Sequence, residues 1–153
     1  MTTSIEDSYN FRTISDRLTT SGVVGADRLE ALASQGYEVV VNLLPDSSEH
    51  AVSNEQGIVE SQRIEYIYIP VDFKAPGRAD LTRFSEALDR LPDSKIHIHC
   101  AANYRVSAFY SLYAASRGRW SADQATDFIQ SVWRPADYPG WSEFIDEILG
   151  ELL

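Results

Sequence analysis

Only one cysteine, Cys100, occurs in 153 residues, so no internal disulfide can form and no second thiol stands ready to rescue Cys100 after oxidation. Basic residues are scarce: 13 Lys and Arg face 23 Asp and Glu, for a formal net charge of -10. That deficit disfavours a broad electrostatic grip on nucleic acid or anionic lipid, which requires clustered Lys and Arg to displace counterions. A small anion still suits a locally positive pocket. Long apolar runs are missing as well. None approaches the roughly 18 residues of a membrane span, and Met1 to Tyr9 is too polar and acidic for a signal peptide. A cytoplasmic protein with no nucleic-acid or membrane partner is the expectation. Repeats, low-complexity tracts and linker-like stretches are also absent.

What is present is a chain of domain size, 44% hydrophobic and 24% charged, long enough to bury a core. Residues 1–9 read as a flexible tail and residues 10–153 as one ordered domain. Leu29, Leu32 and Ala33 have the spacing of one helical face between Gly25 and a stop at Gly36. Glu38 to Leu44 is almost wholly apolar, as in a strand covered on both faces, and Pro45-Asp46-Ser47-Ser48 ends it. A helix around Glu55 to Gln62 follows, then a strand at Tyr66-Ile67-Tyr68-Ile69 stopped by Pro70. Leu81, Phe84, Ala87, Leu88 and Leu91 mark a helix over Asp80 to Leu91, and Ile96-His97-Ile98-His99 a strand that ends at Cys100. Helices are predicted over Ser107 to Arg117, Ser121 to Trp133 and Trp141 to Leu152. Strand and helix alternate early and only helices close the chain. That order predicts an α/β fold, a mostly parallel sheet of about four or five strands sandwiched between helices, with ligands at the carboxyl ends of the strands.

His99-Cys100-Ala101-Ala102-Asn103-Tyr104-Arg105-Val106-Ser107 falls where a strand feeds a helix. Small residues let backbone N–H groups turn inward, and such a nest at a helix N-terminus binds an anion and favours the thiolate of a cysteine at its mouth. An Arg one turn later can fork onto two oxygens of a tetrahedral oxyanion. The bland alternative makes Cys100 a small buried hydrophobe and Arg105 a surface residue. His97 shares a strand face with His99, yet two His without Cys or carboxylate neighbours at ligand spacing make a weak case for a metal. Trp120, Trp133 and Trp141 read as core residues of the last helices. Tyr104, a large aromatic inside the loop, must either wall the pocket or obstruct it.

The segment resembles the signature loop of the protein tyrosine and dual-specificity phosphatases. The resemblance runs over nearly the whole chain from Phe11, through Thr20-Ser21-Gly22, Val39-Val40-Val41-Asn42-Leu43, Ile69-Pro70-Val71-Asp72 and His99-Cys100, and Ser121-Ala122-Asp123-Gln124-Ala125 is similar to the dual-specificity tail. It is nearest the bacterial phosphatase-like branch described as a domain of unknown function, found with β-lactamase-like hydrolases. It implies a phosphomonoesterase with a phosphocysteine intermediate. Cys100 would be the nucleophile, Arg105 the phosphate clamp, and Asp72, on a loop with Pro76 and Gly77, the general acid. The backbone from Ala101 to Val106 would cradle the phosphate, with His99 holding the loop. Ser107 would assist the thiolate or the hydrolytic water, or cap the helix. The substrate would be a phosphorylated small molecule or phosphoprotein, and no metal or organic cofactor follows.

This chain departs from the family pattern in one respect. The phosphatase loop has five residues between Cys and Arg, whereas here there are four, Ala101 to Tyr104. Either the loop is shortened with Arg105 still over the phosphate, or its length is kept, Asn103 stands where the family has Gly, and Val106 takes the Arg position. The second arrangement implies weak activity. The spacing also resembles single-domain rhodaneses, which carry a persulfide on the Cys; a sulfurtransferase is the alternative enzyme, and an inactive phosphate-binding module the alternative of another class.

Overall fold

The computed structural model describes residues 3–152. Five strands form one sheet in the order β1-β2-β5-β3-β4. Strands β1 (Arg12–Ser15) and β2 (Leu18–Ser21) make an antiparallel hairpin, and β2, β5 (Ile96–His99), β3 (Val39–Asn42) and β4 (Glu65–Tyr68) run parallel. The helices are α1 (Ala26–Glu30), α2 (Glu55–Glu60), α3 (Arg78–Asp89), α4 (Tyr104–Ser116), α5 (Ala122–Val132) and α6 (Pro139–Gly150). The mostly parallel α/β architecture expected from the alternation is therefore present. The hairpin was not anticipated, because its two four-residue strands are polar and give no periodic signal. Among the described residues, no helix is long and apolar enough to cross a membrane.

Side-chain alternation along the central strands creates two cores. Val39, Val41, Ile96, Ile98 and Cys100 face α3 to α6, where Phe84, Phe109, Tyr113 and Trp141 are fully buried. Burying each such side chain contributes on the order of 1.5–3 kcal/mol. Val40 faces the other way and packs with Leu29, Leu32 and Val59 beneath α1 and α2. Ile5 joins this second core at 1% exposure, within a 3-10 turn over Ile5–Asp7, and its N–H donates to Gln35 Oε1. Within the segment expected as a tail, Ile5 and Ser8 are buried while Thr3, Glu6, Asp7 and Tyr9 are exposed, and residues 1 and 2 lie outside the described residues.

His97 also faces the second core and is completely buried. Ser21 Oγ donates to Gly22 O (2.8 Å), so it must accept from His97 Nε2 (2.8 Å). A neutral ring then accepts at Nδ1 from Thr19 Oγ1 (2.8 Å), which in turn accepts from the Tyr37 hydroxyl (2.8 Å). Both ring nitrogens of His97 are thus engaged by hydroxyls. Burial, reinforced by nearby His99, holds the His97 imidazole well below the usual histidine range of 6.5. The unfolded chain therefore takes up a proton that the folded chain refuses, so this contribution is complete above about pH 6.5 and is lost as pH falls below it. Urea unfolding between pH 7.5 and 5 should show a loss of at most about 1.4 kcal/mol per pH unit from this group. The His97→Gln variant should be less stable at neutral pH and lack that part of the slope.

Candidate active site

Strand β5 lies in the middle of the sheet, with His99 level with Ser21 on one side and Asn42 on the other. The chain leaves it at Cys100, fully buried, and reaches the first residue of α4 four residues later. The turn is made by Asn103, whose φ of 70° is left-handed. Asn tolerates this region better than most residues. Its side chain repays the strain, since Nδ2 donates to Asn10 O (2.9 Å) and Thr20 Oγ1 (3.0 Å). Asn10 reciprocates through its own Nδ2 to Ala102 O (2.9 Å). Val23 N–H donates to Ala101 O (2.9 Å) and Cys100 N–H to Ser21 O (3.3 Å), which ties the loop to the end of β2. Gly22 permits this approach: a Cβ there would lie 2.5 Å from Ala101 O.

Because a trans peptide points its C=O and N–H in opposite directions, an Ala101 carbonyl held by Val23 turns the Ala102 N–H away from β2. The N–H groups of Ala101, Ala102, Tyr104, Arg105 and Val106 have no acceptor among the described residues. The last three are ordinary helix N-terminal donors; the first two extend the row into the loop. Val106 is buried in the main core. The cation beside the loop is Arg105, whose guanidinium lies over the Phe73 ring at 5.2 Å. Its Nε is buried without a partner, and among the described residues no carboxylate pairs with it.

Phe73 is the hub of an aromatic cluster. It meets Tyr138 edge-on at 5.1 Å and packs on Trp141 at 5.6 Å and Trp133 at 6.0 Å, while Trp141 Nε1 donates to its carbonyl (2.7 Å). Trp133 and Trp141 are core residues, at 6% and 1% exposure, whereas Trp120 is only partly buried. Tyr104 stacks flat on Trp133 at 4.6 Å and so joins a wall. Burial raises its phenol, with smaller contributions from Tyr138, Tyr9 and Asp137, which places these groups around it.

Asp72 is exposed, next to Phe73; its Oδ1 accepts from Lys74 N–H (2.9 Å), the turn-capping arrangement. Ser107 Oγ donates to Tyr104 O (3.0 Å) and accepts from Trp133 Nε1 (3.0 Å), so its proton is engaged within the helix. His99 Nε2 meets Glu55 Oε2 at 2.6 Å, both side chains being buried. Asn10, Glu55 and the Phe73 platform went unseen in the sequence. Glu55 and Asn10 are lone polar residues with no motif around them; Phe73, beside Asp72, was the one with a positional hint.

This arrangement, a central strand delivering a cysteine to an N–H-rich turn at the head of a long helix, defines the cysteine-dependent phosphatase class of fold. No family model matches the sequence. A phosphotyrosine-bound structure of TpbA from P. aeruginosa superposes with a TM-score of 0.70 over 94% of this chain and 90% of that one, at 14% identity, which shows the fold alone. Over 118 residues, 75% of this chain, the sequence is 25% identical to a beta-lactamase hydrolase-like protein of Agrobacterium fabrum, spanning 27% of that protein's length. A candidate phosphatase of Shewanella putrefaciens from the DUF442 family is 30% and 32% identical in two crystal structures. These have TM-scores of 0.87 and 0.82 and cover 97% and 94% of this chain, and 96% and 91% of that protein. The chain belongs to the DUF442 family.

Replacing Gly22 by Ala forces backbone apart, since the new Cβ meets Ala101 O at 2.5 Å and Ala102 Cα at 2.9 Å. The Gly22→Ala variant should lose about 1–3 kcal/mol in urea unfolding and bind inorganic phosphate more weakly than wild type by calorimetry.

Proposed function

We propose that the chain is a cysteine-dependent phosphomonoester hydrolase. The observation that carries this reading is the unpaired Arg105, its Nε buried without an acceptor, beside a row of unpartnered N–H groups that follows a strand-end cysteine. Such a set of donors is costly unless an anion completes it. The Cys100 thiolate attacks phosphorus, forming an S–P bond as the ester P–O bond breaks and Asp72 protonates the departing oxygen. Water then attacks the phosphocysteine, gives a proton to Asp72 and releases inorganic phosphate with the thiolate restored. Chemistry of this kind uses no metal or organic cofactor.

Asn103 takes the left-handed position three residues after the cysteine, where the resemblance places Gly, and Val106 is committed to the core. Arg105 is thus the available clamp, steadied by Phe73 rather than by the family's usual spacing. The Lys74 N–H holds Asp72 Oδ1 and so orients the carboxyl, leaving Oδ2 to carry the acid proton. A phosphorylated small molecule or a phosphoprotein is the substrate class, and the aromatic surroundings of Tyr104 favour an aryl ester, in keeping with the phosphotyrosine bound to TpbA. The four-residue gap between Cys100 and Arg105 is the observation that keeps sulfur transfer as the second reading.

Hydrolysis of 4-nitrophenyl phosphate near pH 6 should vanish in Cys100→Ser, which keeps its phosphate affinity, and fall about 10³-fold in Arg105→Ala. Sulfur transfer from thiosulfate to cyanide without hydrolysis transfers the assignment to the rhodanese reading, and silence in both assays to a binding module. Asp72→Ala should slow alkyl phosphates by about 10²-fold or more and aryl phosphates less, because good leaving groups need little protonation; equal losses contradict the acid role.

A further inference from the structure

Asn10 is half-buried shortly before β1, with a left-handed φ of 55°. It is anchored on both sides, since the Tyr9 carbonyl accepts from Gly22 N–H (2.7 Å) and the Phe11 ring stacks on His97 at 6.2 Å. Between these anchors its side chain reaches the cysteine loop. Nδ2 donates to Ala102 O (2.9 Å), and the Asn10 carbonyl accepts from Asn103 Nδ2 (2.9 Å). Three successive loop carbonyls are engaged. Ala101 O accepts from Val23 N–H and Asn103 O from Ser107 N–H, both backbone groups, whereas Ala102 O accepts from the Asn10 side chain. Among the described residues, Asn10 is the one side-chain donor to the carbonyls of residues 100–103.

Successive N–H groups converge on an anion where right-handed and left-handed residues adjoin, and the left-handed residue of this loop is Asn103, at φ 70°. Left-handed backbone is strained for a residue with a Cβ. Turning over the peptide between Ala102 and Asn103 changes that φ by about 180°, which relieves the strain and takes the nest apart. The Ala102 carbonyl moves with this peptide, so a donor that fixes the carbonyl opposes the flip. The Asn103 side chain does not replace that donor, because its bonds to Asn10 O and Thr20 Oγ1 hold residue 103 and leave the carbonyl before it untouched.

Resting on the anion cradle of the reading above, we infer that Asn10 is a positioning residue, whose Nδ2 holds the Ala102–Asn103 peptide in the orientation that keeps Asn103 left-handed and the anion-binding N–H groups together. The test is orthophosphate binding by calorimetry in wild type, Asn10→Gly and Asn10→Asp. Gly keeps the positive φ and the backbone carbonyl and removes only the donor; Asp keeps the shape and sets an acceptor against Ala102 O. Urea unfolding establishes that each variant folds; should the Gly variant not fold, the Asp variant carries the test at about 1 M salt, which screens its added charge. Orthophosphate should bind about threefold to tenfold more weakly in each, and kcat/KM for 4-nitrophenyl phosphate should fall by at least as much. In ¹⁵N-labelled Asn10→Gly, saturating phosphate should shift the Ala101 and Ala102 amides less than in wild type, while Arg105 and Val106, carried by α4, still respond. Affinity within about twofold of wild type in a folded variant overturns the inference, as does a reduction shared equally by all these amides, which marks a general loosening of the fold. A wild type that binds orthophosphate and hydrolyses no ester overturns the phosphatase reading and leaves the binding comparison to decide the role of Asn10; one that binds no orthophosphate overturns both.

Discussion

Between Cys100 and Tyr104 the chain must change from a strand buried on both faces into a helix, and it makes the change pressed against Gly22, where no side chain fits. The rest of the structure arranges itself around that contact. The parallel pairing of β2 with β5 brings Gly22 level with the loop, and the N-terminal segment adds Asn10 as a clasp. The Asn103 side chain closes the clasp from within. With its carbonyls tied outward, the loop is left with N–H groups that the protein does not satisfy, and on these donors the proposed anion cradle rests.

The two faces of β5 divide the labour. Ile96, Ile98 and Cys100 sit on the apolar side against α4, where the aromatic packing of Phe84, Phe109 and Trp141 supplies stability. His97 and His99 sit on the other side, one as a neutral link between hydroxyls and the other against a buried carboxylate. Around His97 both ring nitrogens are hydrogen-bonded, which fixes that ring's geometry, whereas His99 Nδ1 is buried without a partner among the described residues. The Phe73 loop spans the gap between fold and chemistry, since the same ring packs on Trp141 and supports Arg105.

The strands β3, β4 and β5 and the helices that follow them were legible because apolar period and turn residues agree there. The cysteine loop was legible as well, from its residues and its place after a strand. The hairpin of β1 and β2 was not: its side chains are mostly polar, and it is made stable by β5, a neighbour more than 70 residues away. For the same reason Asn10 and Glu55 escaped notice, since each is placed by tertiary contact and neither carries a local pattern. The left-handed Asn103 could be foreseen from the Asn's backbone freedom, but Phe73 as the seat of Arg105 could not, because the two meet only when the loop after β4 folds over α4.

Amide resonances of the ¹⁵N-labelled protein, followed while orthophosphate is added, address the anion cradle directly. The account predicts that the largest shifts fall on Ala101, Ala102, Tyr104, Arg105 and Val106 and saturate together with the Arg105 Nε signal. Shifts spread over the surface, or confined to other helix termini with this loop silent, would contradict it.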